Sequence, residues 1–264
     1  MERRKFRSKA EARQAVWDAL VEARVARFPF PTHGRIPNFE GAREVAEHLL
    51  AHPLFHKVRC VKVNPDSPQK PVREALLRRG VMVLVPTPRL KGGFRTFDPA
   101  KIPADKISEA ASLGAGARWG EEVPLEALPP VDLIVTGSVV VTRDGHRCGK
   151  GHGYGDLEYA ILRELGQPPV PVVTTVHAMQ VVEVLPAEPH DLPVAVIATP
   201  DRCFEVPLPP EAPSGIDWDR LSPDAMEAMP ILKSLRDLRM PARPKTASPA
   251  RMPFGLTSLD RPLL

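Results

Sequence analysis

Lys150 stands inside a run of glycines, Gly149-Lys-Gly-His-Gly-Tyr-Gly155, that follows Gly145-His-Arg-Cys148 and ends on Asp156. Glycine at 149, 151, 153 and 155 leaves backbone N–H groups bare, and Arg147 and Lys150 add positive charge beside them. A strand-like apolar segment, residues 131–141, precedes the run, and a helical pattern, residues 157–165, follows it. Bare N–H groups at a helix N-terminus, reinforced by a lysine, make a site for an anion. Phosphate is the expected guest, hence a nucleotide or a phosphorylated substrate. A flexible turn is the plainer explanation, but glycine at every second position across a strand–helix junction exceeds what a turn requires.

The run matches neither common phosphate loop. Three residues, not four, separate Gly145 from Gly149-Lys150, and Gly151 replaces the Ser or Thr of a Walker A loop. Tyr154 stands where G-x-G-x-x-G needs its third glycine. Asp156 reads two ways: a carboxylate favourably placed in a first helical turn, or a Mg²⁺ ligand beside the phosphates. Lys9 and Arg13 are spaced i, i+4, so they share a helix face. That face is either solvated or a grip for a triphosphate, with the arginine offering a fork. His177, Gln180, Glu188, His190 and Asp191 gather near strand ends without forming a Ser-His-Asp pattern.

The chain has 264 residues, enough for a sizeable core in one or two domains. Net charge is +4, much of it in Arg3, Arg4, Lys5, Arg7 and Lys9. This arm is either solvated or a contact for phosphate or RNA. The three cysteines, Cys60, Cys148 and Cys203, form no C-x-x-C pair, which argues against a disulfide framework or zinc site. No apolar run reaches transmembrane length, and no apolar signal segment follows the basic start. The expectation is a cytoplasmic protein without membrane contact.

Apolar periodicity predicts helices over 9–27, 42–50, 68–79 and 154–165. Strands are predicted over 58–63, 81–85, 131–135, 138–142, 170–176, 181–185 and 194–199. Residues 91–130 read as irregular, with a short helix near 103–112. Strands alternating with helices predict an α/β fold with a mainly parallel sheet, and continuous apolar strands predict cover on both faces. The expected domain spans residues 1–206. Prolines after Val206 mark a Pro-rich C-terminal extension, 207–264, with one helix over 223–238 and no periodicity in the last 25 or so residues.

Asp132-Leu-Ile-Val-Thr-Gly137, followed by 144–156, resembles the signature of the 5-formyltetrahydrofolate cyclo-ligase (methenyltetrahydrofolate synthetase) family. Lys9 and Arg13 match its N-terminal Lys-x-x-x-Arg pair, and Gln180 and Pro186-Ala-Glu-Pro-His-Asp191 resemble its C-terminal pattern. Residues 35–42, 61–66 and 85–90 look like the divergent branch of methenyltetrahydrofolate synthetase domain-containing proteins. The resemblance covers roughly residues 5–206. It implies a three-layer α/β/α fold like the sugar-phosphate isomerase and CoA-transferase group. It also implies an enzyme, a cyclo-ligase using ATP and Mg²⁺ to turn 5-formyltetrahydrofolate into 5,10-methenyltetrahydrofolate, ADP and phosphate. In that chemistry the formamide oxygen is first phosphorylated, then N10 closes the ring and phosphate leaves. Positioning and neutralising phosphate charge dominate such a reaction.

Carried over residue by residue, the resemblance implies that Lys9, Arg13, Arg147 and Lys150 contact ATP phosphates, with Arg147 and Lys150 catalytic. Gly149, Gly151, His152, Gly153 and Tyr154 would shape the ATP loop, and Asp156 would hold Mg²⁺. Gly155 departs from the family's second tyrosine, His152 departs from its usual Gly or Lys, and the usual folate-side Glu and Thr are replaced by residues 35–42. Nucleotide binding is thus better supported than folate binding. Two rivals stand beside the enzyme. One is a nucleotide-binding protein, non-catalytic or of different specificity. The other is an RNA-binding module, ranked last because aromatic stacking platforms are scarce.

Overall fold

The computed structural model describes residues 5–112 and 114–239. The chain opens with α1 (Lys9–Glu22), whose N-terminus is capped by Ser8 accepting from the Glu11 N–H. Strands β1 (Ala26–Arg27) and β2 (Asn38–Phe39) pair antiparallel ahead of α2 (Ala42–Ala51). Then follow β3 (Cys60–Val63), α3 (Lys70–Arg78), β4 (Met82–Pro86), β5 (Phe94–Phe97), α4 (Ile107–Ala110) and β6 (Glu121–Val123). Next come β7 (Leu133–Gly137), β8 (Val140–Thr142), β9 (Arg147–Cys148), α5 (Tyr154–Glu164) and β10 (Val172–Thr175). After β11 (Val181–Val182), β12 (Val196–Ala198) and β13 (Cys203–Glu205), helices α6 (Pro223–Ala228) and α7 (Pro230–Arg239) close the described chain.

One sheet runs β13-β12-β10-β7-β3-β4-β5-β6. Its centre, β12 through β4, is parallel, and its flanks are antiparallel. Successive side chains enter opposite clusters, as strand pleating requires. Leu133 and Val135 join Val45, Leu49, Val72 and Leu76 from α2 and α3. Ile134 joins Tyr159, Ile161 and Leu162 from α5, and Leu232 and Leu235 from α7. This is the expected α/β fold, with helices on both faces of a mainly parallel sheet. Helix α1 packs Ala12, Val16 and Leu20 on a separate small sheet, β11-β8-β9.

The topology creates the crevice. From β3 the chain passes through α3 to its neighbour β4; from β7, on the other side of β3, it passes through α5 to β10. The two helices lie on opposite faces, so the strand order reverses between β3 and β7. The connections leaving their carboxyl ends turn to opposite faces there and leave room for a ligand.

Some expectations fail for identifiable reasons. The first helix stops at Glu22, not Arg27, because Arg24 takes a left-handed conformation and Val25 N–H donates back to Leu20 O. Region 91–130 contains β5, which pairs antiparallel with β4, and β6, which pairs with β5; neither has an apolar run to announce it. The single helix expected over 223–238 is two, because Pro230 has no N–H to continue α6 and instead begins α7. Within the region read as the C-terminal extension, Ile216, Met229, Leu232 and Leu235 are buried in the α5-side core. Arg3, Arg4 and the aperiodic residues 240–264 lie outside the described residues.

Candidate functional site

A cavity of about 870 Å³ opens over the carboxyl ends of β3, β4 and β7. Lys9, Arg13, Arg147, Gly149, Lys150, Gly151, His152, Gly153, Tyr154 and Asp156 all line it. Residues far apart in the chain, from α1 to the loop between β9 and α5, thus meet in one place.

The glycine run forms the loop from β9 into α5. Gly151 has φ +105°, and a Cβ there would lie 3.1 Å from the Arg13 guanidinium. Gly153, at φ +70°, is the N-cap of α5 and offers no capping side chain. The first N–H groups of α5, which have no intrahelical partner, therefore lack a side-chain cap and lie beside the cavity. His152 stacks on Tyr154 with ring centroids 5.9 Å apart and planes 22° from parallel.

Most cations around the cavity are held by carboxylates. Lys150 Nζ donates to Asp66 Oδ1 at 2.9 Å, and the lysine side chain is still about one-third exposed (32%). Lys9 Nζ donates to Asp191 at 2.6 Å and to Glu188 at 2.7 Å. Burial disfavours the Lys9 ammonium, but these two acceptors outweigh it and its pKa rises above the ordinary lysine value. The Lys9 hydrogen bond, in turn, draws the Glu188 pKa below the usual carboxylate value. Arg13 makes no ion pair with a described carboxylate and points at Gly151.

Arg147 and Asp156 both line the cavity and are bonded to each other. The Arg147 side chain is only 2% exposed. Its Nη1 donates to Asp156 Oδ1 at 2.9 Å, Nε to Ser138 Oγ at 3.2 Å and Nη2 to Gly137 O at 3.3 Å. This guanidinium is engaged in holding the loop base. Asp156 Oδ1 also accepts from Leu192 N–H at 3.0 Å, which ties α5 to the 188–192 segment. Among the described residues, no donor reaches Asp156 Oδ2.

Glu188, His190 and Asp191, which the sequence gathers near strand ends, bring one ligand atom each within 4.8 Å of one another. Sequence reasoning missed other cavity groups. Asp66 belongs to a turn held by buried Arg73 of α3, which donates to the carbonyls of Asn64 and Asp66, and also to Ala111 O at 3.0 Å. Lys62 of β3, wholly buried, donates to Glu158 of α5 and to Asn64 Oδ1. Burial pushes the Glu158 carboxyl up, against the opposing pull of Lys62. A lysine amid the apolar residues of β3 is the one sequence signal that points to this pair.

Other candidates have structural work. His177 and Gln180 cap the turn at 178–180, and Gln180 Nε2 donates to Ser138 O and Val139 O. Cys60 and Cys148 are buried and Cys203 half-buried, all free thiols. No helix among the described residues is long and apolar enough to cross a membrane.

Comparison with known proteins adds the following. Residues 5–200 match the model of the 5-formyltetrahydrofolate cyclo-ligase family. The chain is 42% identical over 242 residues to the methenyltetrahydrofolate synthase domain-containing protein of Bos taurus, covering 89% of this chain and 64% of that protein. The chain thus spans somewhat less than two-thirds of that relative's length. It is 30% identical over 137 residues to the 5-formyltetrahydrofolate cyclo-ligase of Mycolicibacterium smegmatis, covering 49% of this chain and 65% of that protein. The solved 5,10-methenyltetrahydrofolate synthetase of Aquifex aeolicus superposes with a TM-score of 0.49 at 19% identity, over 81% of this chain and 99% of that one.

Proposed function

Because the chain belongs to the 5-formyltetrahydrofolate cyclo-ligase family, a family of ligases, we propose that it uses ATP and Mg²⁺ to close the methenyl ring of 5-formyltetrahydrofolate or a related formamide. Its main support is the convergence of Lys9, Arg13 and Lys150 on a glycine loop and a helix N-terminus in one crevice. The left-handed Gly151 and the bare N-cap at Gly153 suit close approach by phosphate oxygens.

The donor set also fits Mg²⁺, which favours carboxylate and phosphate oxygens. Asp156, through Oδ2, and the Glu188–Asp191 pair are the residues that would hold it. When bound, it would neutralise phosphate charge.

The protein's own part is positioning. Lys150 and Arg13 bind the phosphate chain and offset the charge that builds as the formamide oxygen takes the terminal phosphoryl group. Lys9 joins them from α1 once the ligand competes for its ammonium. Arg147 acts as a positioning residue: it fixes Asp156 and the loop base from below. The stacked His152 and Tyr154 rings wall the loop. Cytoplasmic location accords with the free thiols and belongs to the same proposal.

The test is purified protein with ATP, Mg²⁺ and 5-formyltetrahydrofolate, followed by absorbance of the methenyl product, with Lys150→Ala alongside. ATP-dependent product that is lost in Lys150→Ala is the expected result. ATP binding weakened by Lys150→Ala, with no methenyl product from the wild type, would refute the folate reading and leave a nucleotide-binding protein of other specificity.

A further inference from the structure

Glu158 and Lys62 take no part in the phosphate chemistry above, yet they form a buried pair at the same cavity. The Lys62 side chain is 0% exposed and that of Glu158 is 4% exposed. Glu158 Oε2 accepts from Lys62 Nζ and from Asn64 Nδ2, the latter at 3.1 Å, while Asn64 Oδ1 accepts from Lys62 Nζ at 3.0 Å. Every polar atom of Asn64's side chain is thereby used. Glu158 Oε1 is not: it makes no hydrogen bond to a described residue, and Glu158 lines the cavity. Oε1 is not one of the described side-chain atoms sealed without a partner, so it opens to the cavity, where a ligand donor can replace water.

The surroundings narrow what that donor is. An open carboxylate oxygen repels phosphate, so the triphosphate end of a ligand is excluded there. Lys62 cancels the charge of Glu158, so the spot selects by hydrogen bonding and not by net charge. Tyr154 lies one helical turn before Glu158 on the same side of α5, and its ring is stacked on His152. A flat aromatic surface on the same side of α5 as an acceptor that opens to the cavity suits a planar heterocycle that presents an N–H.

We infer that Glu158, fixed by Lys62 and Asn64, accepts a hydrogen bond from a ring N–H of the formylated substrate and thereby sets its specificity. This rests on the folate reading above and assigns a residue to its substrate side. A site built to pair an N–H rejects ligands that lack one, because its own acceptor is then left without a partner.

The test is calorimetric binding of 5-formyltetrahydrofolate and of ATP, separately, to the wild type and to Glu158→Gln. Loss of a charge-assisted hydrogen bond weakens the folate Kd about tenfold or more. The ATP Kd stays within about twofold, a split that general destabilisation would not produce. In turnover the same variant raises KM for the folate and leaves KM for ATP in place. Because Glu158→Gln strands the Lys62 charge, the double variant Lys62→Met, Glu158→Gln serves if the single one does not fold. A ligand-side counterpart needs no variant: methylation of the ring N–H groups of 5-formyltetrahydrofolate should weaken wild-type binding to a similar degree. Folate binding that is unchanged in a folded variant, or unaffected by methylation, overturns this inference alone. Wild-type protein that binds ATP but not 5-formyltetrahydrofolate overturns the folate reading and this inference with it.

Discussion

Lys150 and Asp66 join the glycine loop to the end of β3, Nζ to Oδ1 at 2.9 Å, across the crevice where the strand order reverses. The lysine that the loop offers to phosphate is therefore already neutralised by a carboxylate from a segment 84 residues away. A ligand must win it from Asp66. This gives paired predictions of opposite sign. Lys150→Ala should weaken ATP binding about 10- to 100-fold, the range for losing a charge-assisted hydrogen bond. Asp66→Asn, measured without divalent cation, should tighten it. The pair is partly exposed, so neither change should cost more than about 1 kcal/mol of stability in denaturant titration. Tighter ATP binding by Lys150→Ala would contradict the arrangement.

Arg147 should behave in the reverse way. Its guanidinium is buried and bonded to Asp156, Ser138 and Gly137. Arg147→Met leaves the Asp156 carboxylate without its cation, and breaking such a pair costs about 3 kcal/mol or more. Thermal melts should separate the two residues: a large fall in Tm for Arg147→Met, little for Lys150→Ala. Equal melting temperatures would show that Arg147 does not hold the loop.

The Lys9 link has a defined pH window. The folded-state pKa of Lys9 is raised, so its contribution is full below the unfolded lysine value and is lost as pH rises through the folded one. The folded-state pKa of Glu188 is lowered, so its contribution is present above the unfolded carboxylate value and is lost as pH falls through the folded one. Glu188 is about half exposed, and solvent screening keeps the link below about 1 kcal/mol. The stability difference between wild type and Lys9→Met should therefore be flat near neutrality and shrink towards acid. A difference that grows below pH 4 would refute the link.

Helix α7 is part of the fold and not an appendage. Leu232 and Leu235 are fully buried with α5 residues, Ile231 packs on Gly93, and Ala228 of α6 reaches the cavity. Leu232→Ala should cost about 2–5 kcal/mol, as large-to-small core changes do. A denaturation midpoint unchanged by that substitution would mean that the helix is not docked in solution.

Much of the architecture was legible because local pattern and tertiary demand agree. The apolar runs that become β3, β4, β7, β10 and β12 are continuous because both sheet faces are covered, and period-3.6 patterns mark α2 and α5. What escaped had no apolar pattern. Strand β5 exists through pairing with β4 and β6 through pairing with β5, and Arg24 ends α1 in a conformation usually left to glycine.

The sequence by itself determined the α/β alternation, the glycine run at a strand–helix junction and the residue types that suit phosphate. Those properties depend on neighbours in the chain. Only the tertiary structure decided which charges meet: Lys150 with Asp66, Lys9 with Glu188 and Asp191, Arg147 with Asp156, and Lys62 with Glu158. The physical reason is that an ion pair depends on distance in space and burial, and most of these partners, 9 to 182 residues apart, meet only because the sheet brings the ends of its strands together.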